Sequence, residues 1–216
     1  MTGSILKNCT HIIWDWNGTL LKDDRLCVEI LNSMLKTRNL PAVTAQQYKD
    51  EFDFPVMDYY KKVGFDFSKE TFDSVAAEFI NQYETSRFVC PLQPDAIKAL
   101  QYFKAKNLTQ SILSAYNQFR LEEVIAHFKL TKYFTHIVGL TDDYAHGKVD
   151  AAKQFMQKSG LKPDKTVFIG DTIHDFEVAQ AINTSCILIA DGHQPKEKLL
   201  KCNTAVLNSL TDFLTL

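Results

Sequence analysis

Five polar side chains follow short apolar runs of the sequence, and their types suit the handling of a phosphoryl group. They are Asp15, Ser114, Lys148, Asp171 and Asp175. Clustered carboxylates repel one another, so a site built from three of them needs a cation, and carboxylate with carbonyl oxygen is the ligand set of Mg²⁺. Lys148 adds positive charge and Ser114 adds a neutral donor, which together can hold phosphate oxygens. A neighbouring carboxylate can attack phosphorus and form an aspartyl-phosphate.

Short apolar runs alternate with helical patterns, and this order predicts the elements that bring the five side chains together. Each run is rich in Ile, Val, Leu or Phe, as buried parallel strands are. The predicted strands are 11–14, 109–113, 136–140, 166–169, 185–190 and, more weakly, 204–207. We therefore expect an α/β fold, a Rossmann-like parallel sheet with helices on both faces. In such sheets ligands bind beyond the carboxyl ends of the strands, which is where the polar residues lie.

The segment between the first two predicted strands is too long for one crossover helix and has a helical pattern. Apolar residues recur at helical spacing over 26–35 and again over 72–83. Thr44 followed by Gln47 predicts a capping box at the start of a helix. We expect a helical insertion that packs as its own small cap. The predicted division is 1–20 with 90–216 for the sheet domain and 21–89 for the helical cap.

Composition and charge limit the classes of partner. The chain of 216 residues carries 24 basic and 26 acidic side chains, with a net charge of −2. Nucleic acid and anionic membranes attract basic surfaces, so neither is an expected partner. The five cysteines lack Cys-x-x-Cys spacing, which favours reduced thiols in a cytoplasmic protein over disulfides or a zinc site. We expect neither a membrane span nor a signal peptide, because no apolar run has the required length or flanks.

Four segments together resemble the signature motifs of the haloacid dehalogenase-like hydrolase superfamily. They are Asp15-Trp16-Asn17-Gly18-Thr19, Ser114-Ala115-Tyr116-Asn117, His146-Gly147-Lys148 and Gly170-Asp171-Thr172-Ile173-His174-Asp175. Each segment alone is weak, but four in order at the ends of the expected strands are specific. With the helical cap, the resemblance covers almost the whole chain, and the cap is similar to that of phosphoglycolate phosphatase-like enzymes. The resemblance implies a Mg²⁺-dependent phosphatase that acts on a small phosphorylated metabolite.

The resemblance also implies which residues handle the phosphate. Asp15 is the expected nucleophile, which forms the aspartyl-phosphate. Ser114 is expected to bind the phosphoryl group with help from backbone amides around Ala115 and Asn117. Lys148 is expected to bridge the nucleophile and the phosphate.

A second set of residues is implied in holding the metal. Asp171, the Asp15 carboxylate and the backbone carbonyl of Asn17 are the expected ligands of Mg²⁺. Asp175 resembles the second acidic residue of the last motif, which orders either the waters of the metal or Lys148.

Asn17 departs from the pattern of the family's phosphatases, which usually carry an aspartate there as general acid and then base. An amide cannot donate and retrieve a proton at neutral pH. Because such assistance is worth about 10²–10⁴-fold, we expect slow turnover of alkyl phosphates, a preference for good leaving groups, or a substitute acid. His146 and His174 flank motif residues and are candidates for that substitute, since imidazole titrates in the useful range.

Other functions on the same scaffold stay open. A phosphonatase would need a cap lysine for a Schiff base, and Lys49, Lys61 and Lys62 are available. A mutase would normally need the general acid that is missing at position 17. A dehalogenase would not require Mg²⁺, and the full acidic last motif argues against it. A binding or regulatory module with a degenerate site is supported by Asn17 alone.

Specificity is expected to lie in the cap, and no sequence pattern indicates an oligomeric state. The aromatic residues expected in the cap core are Phe72, Phe79 and Tyr83. A second, less regularly spaced group of cap residues is expected to include some that face the substrate. Its members are Phe52, Phe54, Met57, Tyr59 and Tyr60. Lys61, Lys62 and Arg87 are candidates for contact with a second anion on the substrate, and His193 is expected at most on the rim.

Overall fold

A computed structural model describes residues 2–141 and 147–215 of the chain, and a parallel β-sheet lies at its centre. The strands are β1 (His11–Trp14), β2 (Thr109–Asn117), β3 (His136–Leu140), β4 (Thr166–Gly170), β5 (Ser185–Ile189) and β6 (Ala205–Leu207). Within the described residues every neighbouring pair is parallel, in the order β3-β2-β1-β4-β5-β6. The predicted α/β fold with a Rossmann-like parallel sheet is confirmed.

Strand β2 is longer than the sequence predicts. The prediction ends it at Leu113, whereas pairing with β3 continues to Asn117, which lies opposite Leu140. The register shifts between Leu113 and Asn117. Such irregularities bend a strand and redirect its side chains. Ser114 therefore stands within the strand at this irregularity rather than in a loop after it.

Helices connect and cover the strands. They are α1 (Thr2–Leu6), α2 (Asp24–Thr37), α3 (Ala45–Glu51), α4 (Val56–Lys62), α5 (Phe72–Ser86), α6 (Ala96–Ala105), α7 (Gln118–His127), α8 (Lys148–Ser159), α9 (Ile173–Ala181) and α10 (Lys196–Leu199). Successive residues of a strand point to opposite faces of a sheet. Accordingly, Ile12 and Trp14 pack in one apolar cluster with residues of α6 and α7, whereas Ile13 packs in another with residues of α8 and α9. Both faces of the sheet are covered, as predicted.

The segment between β1 and β2 folds into helices α2 to α5, which have an apolar cluster of their own. Met34 and Leu35 of α2 are fully buried in it, and burying a side chain of this size contributes about 1.5–3 kcal/mol. Helix α3 begins with the predicted capping box, in which Thr44 Oγ1 accepts from Gln47 N at 3.1 Å and Gln47 Oε1 accepts from Thr44 N at 2.8 Å. The helical character of the segment is confirmed, while the boundaries of the cap stay a prediction.

The five cysteines all belong to the described residues and are free thiols, as the sequence predicts. Among residues 2–141 and 147–215, no helix combines the length and the apolar character needed to span a membrane.

The order of the strands reverses between β1 and β4. Strand β1 pairs with β2 on one side and with β4 on the other, so the chain crosses the sheet in opposite directions from this point. Ligands of open α/β sheets bind in the crevice that such a reversal leaves beyond the carboxyl ends of the strands. A ligand site is therefore expected at the residues that follow β1 and β4.

Candidate active site

Asp15 lies one residue beyond β1 at this crevice. Its backbone N–H donates to the carbonyl of Ile169 in β4 at 2.8 Å, so the strand ladder fixes its position. Lys148, the first residue of α8, donates from Nζ to Asp15 Oδ1 at 2.5 Å and to Asp175 Oδ1 at 2.6 Å. All three side chains are buried. Three segments that are far apart in sequence thus meet at one ammonium group.

The turn between β4 and α9 fixes the other two carboxylates. Thr172 and Asp175 form a capping box at the start of α9. Asp175 Oδ2 accepts from Thr172 Oγ1 at 2.7 Å and from Asp171 N at 3.1 Å. The oxygens of Asp171 accept from Thr19 Oγ1 at 2.8 Å and from His193 N at 2.7 Å. Every acceptor bond holds its carboxylate in one orientation.

Asp15, Asp171 and Asp175 form a cluster whose negative charge one ammonium does not balance. One oxygen of each lies within 4.8 Å of the others. Burial raises the pKa of Asp15, against the opposing charge of Lys148, and burial likewise raises the pKa of Asp171. A hard divalent cation with oxygen ligands would relieve this repulsion, so the donor set fits Mg²⁺. Asp175 Oδ1 accepts from Lys148 Nζ, which fits the expected role of Asp175 in ordering that lysine.

The residues predicted to bind phosphate divide into two groups. Ser114 is buried in β2, and its Oγ accepts from Tyr116 N at 3.2 Å, which leaves the hydroxyl hydrogen for another acceptor. Ser114 and Ala115 both line the cavity beyond the strand ends. Asn117 is not among the described residues that line it, and its Oδ1 caps α7 by accepting from Phe119 N at 3.1 Å. A phosphate contact of the Asn117 amide stays a prediction.

Gly18 lets the loop after β1 pass close to the acidic cluster. Its φ of +74° lies in the left-handed region that glycine adopts without strain. A Cβ at this position would lie 2.3 Å from Asp171 Oδ2 and 2.5 Å from His193 Cδ2. Any other residue would therefore displace the carboxylate or the imidazole.

Asn17 belongs to a buried polar network that the sequence did not reveal. Its Nδ2 donates to Asp23 Oδ2 and to the Tyr83 hydroxyl, each at 2.7 Å. The Tyr83 hydroxyl donates to the same Asp23 oxygen at 2.8 Å, and Gly18 N donates to Asp23 Oδ1 at 2.9 Å. Both amide hydrogens of Asn17 are therefore engaged, so this side chain has no donor left for a leaving group.

His193 is not the rim residue that the sequence suggested. It is 6% exposed, with Nε2 3.3 Å from Asp23 Oδ1 and Nδ1 3.1 Å from the Tyr48 hydroxyl. Burial would lower the pKa of His193, but the carboxylates of Asp23 and Asp171 outweigh burial and raise it to about 9. The same pairing lowers the pKa of Asp23 despite its burial. At neutral pH the imidazolium thus balances the Asp23 carboxylate.

Of the two histidines predicted as substitute acids, His174 lies at the cavity. His174 lines the cavity, with Nδ1 3.2 Å from Glu177 Oε2 and its ring centroid 4.8 Å from that of Phe54. His146 lies outside the described residues.

The strand ends and helices α2 to α5 line a partly open cavity of about 230 Å³. We call one part of its wall the charged end, formed by Asp15, Ser114, Lys148 and Asp175. Another part is the aromatic end, formed by Tyr48, Phe52, Phe54, Tyr59, Phe79 and Tyr83. Of the cap residues of which some are expected to face the substrate, Phe52, Phe54, Tyr59 and Tyr60 line this cavity. Phe72 and Phe79, expected only in the core, line the cavity as well.

No sequence pattern indicated that Asp23, His193 and the hydroxyl of Tyr83 form a polar network at the site. The available signal for Asp23 was an acidic pair, Asp23-Asp24, at the start of a predicted helix, and favourable charge at a helix N-terminus explains such a pair equally well. Tyr83 was correctly expected to be buried, but its period on a helix face says nothing about its hydroxyl.

The model of the family described as haloacid dehalogenase-like hydrolase matches residues 12–189. The chain belongs to this family. The fold of this haloacid dehalogenase-like hydrolase is also that of a family member from Streptococcus pneumoniae, with a TM-score of 0.82 over 97% of this chain and 98% of that chain at 18% identity. The predicted family is confirmed.

Curated relatives of this haloacid dehalogenase-like hydrolase are named as phosphatases. It is 24% identical to phosphoglycolate phosphatase 1 of Pseudomonas aeruginosa over 149 residues, which are 68% of this chain and 54% of that protein. It is 22% identical to phosphoglycolate phosphatase of Photorhabdus laumondii over 100% of this chain and 95% of that protein. The match thus spans about half the length of the Pseudomonas relative and nearly all of the Photorhabdus one. The predicted likeness to phosphoglycolate phosphatases is confirmed.

Proposed function

We propose that this chain is a Mg²⁺-dependent phosphatase that hydrolyses a small phosphate monoester through an aspartyl-phosphate on Asp15. The observation that carries the proposal is the contact of Asp15 with Lys148 at 2.5 Å, beside Asp171 and Asp175 and at the wall of a cavity. The phosphatase names of the relatives support the same class of reaction.

In the first half of the proposed reaction, Asp15 Oδ2 attacks phosphorus. Lys148 holds Oδ1, and among the described residues no hydrogen bond reaches Oδ2, which leaves its lone pairs for the attack. A bond forms between Asp15 and phosphorus while the bond from phosphorus to the substrate oxygen breaks. Lys148 and the Ser114 hydroxyl stabilise the charge on the phosphoryl oxygens.

In the second half, water attacks phosphorus, the bond to Asp15 breaks, and inorganic phosphate leaves with the carboxylate restored. Asp15, Asp171 and the Asn17 carbonyl are the groups that would hold Mg²⁺, which when bound supplies positive charge to the phosphoryl oxygens. Asp175 accepts from Lys148 at 2.6 Å and so keeps the ammonium directed at the nucleophile through both halves.

A phosphonatase has less support, because the cap lysines are engaged elsewhere. Lys49 pairs with Asp24 at 2.8 Å, Lys61 with Asp58 at 3.0 Å and Lys62 with Glu51 at 3.7 Å. None of the three is among the described residues that line the cavity. A Schiff base at the site would require a lysine that reaches the substrate.

The test is a screen of aryl, alkyl and sugar phosphates with and without Mg²⁺, beside Asp15→Asn. We expect hydrolysis that needs Mg²⁺ and falls on the order of 10⁴-fold or more in the variant, as removal of a nucleophile does. Acid quenching during turnover should trap a phosphoryl group on a peptide that contains Asp15. The matched control is Asp164→Asn, an exposed aspartate before β4, which should keep full activity. Activity that survives Asp15→Asn, or silence on every phosphate, would refute the proposal.

A further inference from the structure

The aromatic end of the cavity has the size and lining for a single aromatic ring. The cavity holds about 230 Å³, whereas an apolar cavity of about 150 Å³ already accommodates benzene. The difference leaves room for a phosphoryl group at the charged end. Rings already pair within the wall, with Tyr48 and Phe52 at 5.0 Å and Phe79 and Tyr83 at 6.2 Å between centroids. Such a wall favours a ligand whose aromatic ring makes a further offset-stacked or edge-to-face contact with these rings.

The described part of the cavity wall offers no unpaired cation to a second anionic group. Its lysine, Lys148, is bound to two carboxylates at the charged end, and its His193 is paired with Asp23. Glu84 and Asp23 also line the wall, where Glu84 is paired with Arg87 and Asp23 with His193. Burying a carboxylate or a second phosphate without a partner is costly, so this wall disfavours a doubly anionic substrate such as phosphoglycolate.

Arg87 does not supply the missing positive charge. It is buried between two carboxylates, at 2.7 Å from Glu84 and in closer contact with Glu123, and it also donates to the Tyr116 hydroxyl at 3.0 Å. It is not among the described residues that line the cavity. The candidate contact for a second anion is therefore committed to the junction between α5 and α7.

Asn17 restricts the leaving group independently of the cavity wall. Both of its amide hydrogens are donated within the protein, to Asp23 and to Tyr83. An aliphatic alkoxide, whose conjugate acid resembles water with a pKa of about 15.7, needs a proton as it departs. A phenolate, whose conjugate acid has a pKa of about 10, departs without one far more readily.

These observations converge, and we propose that the substrate is the phosphate monoester of a single-ring aromatic alcohol, with its ring at the aromatic end and its phosphoryl group at the charged end. The inference rests on the proposed phosphatase function. The bond from phosphorus to the aryl oxygen breaks as Asp15 attacks, and its electron pair stays on the oxygen, which leaves as an aryloxide. The aryloxide takes its proton from water.

Three esters separate the effect of the leaving group from the combined effect of ring and charge: phenyl phosphate, benzyl phosphate and 2-phosphoglycolate, each with Mg²⁺. We expect kcat/KM for phenyl phosphate to exceed that for benzyl phosphate by about 10²-fold or more, since only the latter leaves as an alkoxide. Benzyl phosphate should in turn exceed 2-phosphoglycolate by about tenfold, because both leave as alkoxides but only one carries a ring and no second anion.

Binding is measured separately, because phenyl phosphate is also the more reactive ester. Phenylphosphonate and phosphonoacetate are stable mimics of the aromatic and the carboxylate-bearing substrate. As competitive inhibitors, they should differ about tenfold in inhibition constant, in favour of phenylphosphonate.

The variant Ile80→Arg adds a cation to the cavity wall, with Ile80→Met as the matched apolar control. The arginine should raise relative activity on 2-phosphoglycolate about tenfold over wild type, whereas the methionine should leave the order of substrates unchanged. If Ile80→Arg does not fold, the rates on the three esters and the inhibition constants of the two phosphonates still test the aryl preference.

The two proposals fail in different ways. Hydrolysis of alkyl and carboxylate-bearing esters at rates equal to or above that of phenyl phosphate, with phosphonoacetate the tighter inhibitor, would overturn the aryl preference and leave the phosphatase intact. No hydrolysis of any ester would overturn the phosphatase and the inference together.

Discussion

The charged end and the aromatic end of the cavity are assembled differently. The charged end draws Asp15, Ser114, Lys148 and Asp175 from four separate segments and fixes them with hydrogen bonds of 2.5–3.2 Å. The aromatic end comes from one stretch, residues 48–83, through ring contacts between 5.0 and 6.2 Å. Hydrogen bonds need defined distances and angles, whereas dispersion contacts tolerate variation. The first end therefore suits one chemical group and the second suits a class of groups.

Replacement of Lys148 by methionine is the strongest test of the charged end. The change leaves the buried carboxylates of Asp15 and Asp175 facing each other without a cation. We expect kcat/KM to fall on the order of 10³-fold and the free energy of unfolding to fall by about 3–5 kcal/mol, measured by steady-state kinetics and urea unfolding. Lys153→Met, at an exposed position of the same helix, should change neither. Wild-type kinetics in Lys148→Met would remove the ammonium from the mechanism.

His193 links Asp23 to the aromatic end, since one ring nitrogen contacts Asp23 and the other the Tyr48 hydroxyl. Its pKa is raised from 6.5 to about 9 in the folded protein. The resulting stabilisation, roughly 3 kcal/mol, is fully present below pH 6.5 and is lost as pH rises from 6.5 to about 9.

The measurement for His193 is the free energy of unfolding in urea at pH 6.5 and 9.5, at fixed Mg²⁺. His193→Gln should show a smaller decline over this range than wild type. Parallel pH profiles of the two proteins would contradict a charged imidazole between Asp23 and Tyr48.

Asn17→Asp tests how far the absent acid limits the charged end. The new carboxyl group would lie beside Asp23, whose oxygen is 2.7 Å from Asn17 Nδ2, so two like charges would compete for one proton. We expect a small gain on benzyl phosphate in Asn17→Asp and a gain approaching about 10²-fold when Asp23→Asn is added. The rate on phenyl phosphate, which needs no acid, should change much less. Equal gains on both esters would show that the leaving group is not what limits the rate.

The closeness of Asp15 and Asp171 could be predicted from the sequence because it follows from local rules. Parallel strands end at a common edge, so a polar residue one position past β1 and another past β4 must be neighbours once those strands pair. Asp15 and Asp171 meet these conditions. The capping box at Thr44 was predictable for the same reason, since its partners are three residues apart.

The remaining features depend on contacts between distant segments. Asp23 meets Tyr83 and His193 only because α5 and the loop after β5 come to the same place, and no pattern within a helix or strand encodes that docking. The extension of β2 to Asn117 depends on its pairing with β3 rather than on its own residues. Pairing and docking of this kind override local propensity.

The aromatic end lies wholly within one continuous stretch of chain, between β1 and β2. A single insertion, deletion or recombination within residues 48–83 can therefore alter what is accepted while the atoms that break the bond stay where they are. Proteins with this arrangement can change their substrate specificity while they keep the same catalytic residues. A chimaera in which residues 48–83 are replaced by the corresponding segment of another protein should take its substrate preference from that protein. It would keep Asp15 of this chain as the nucleophile.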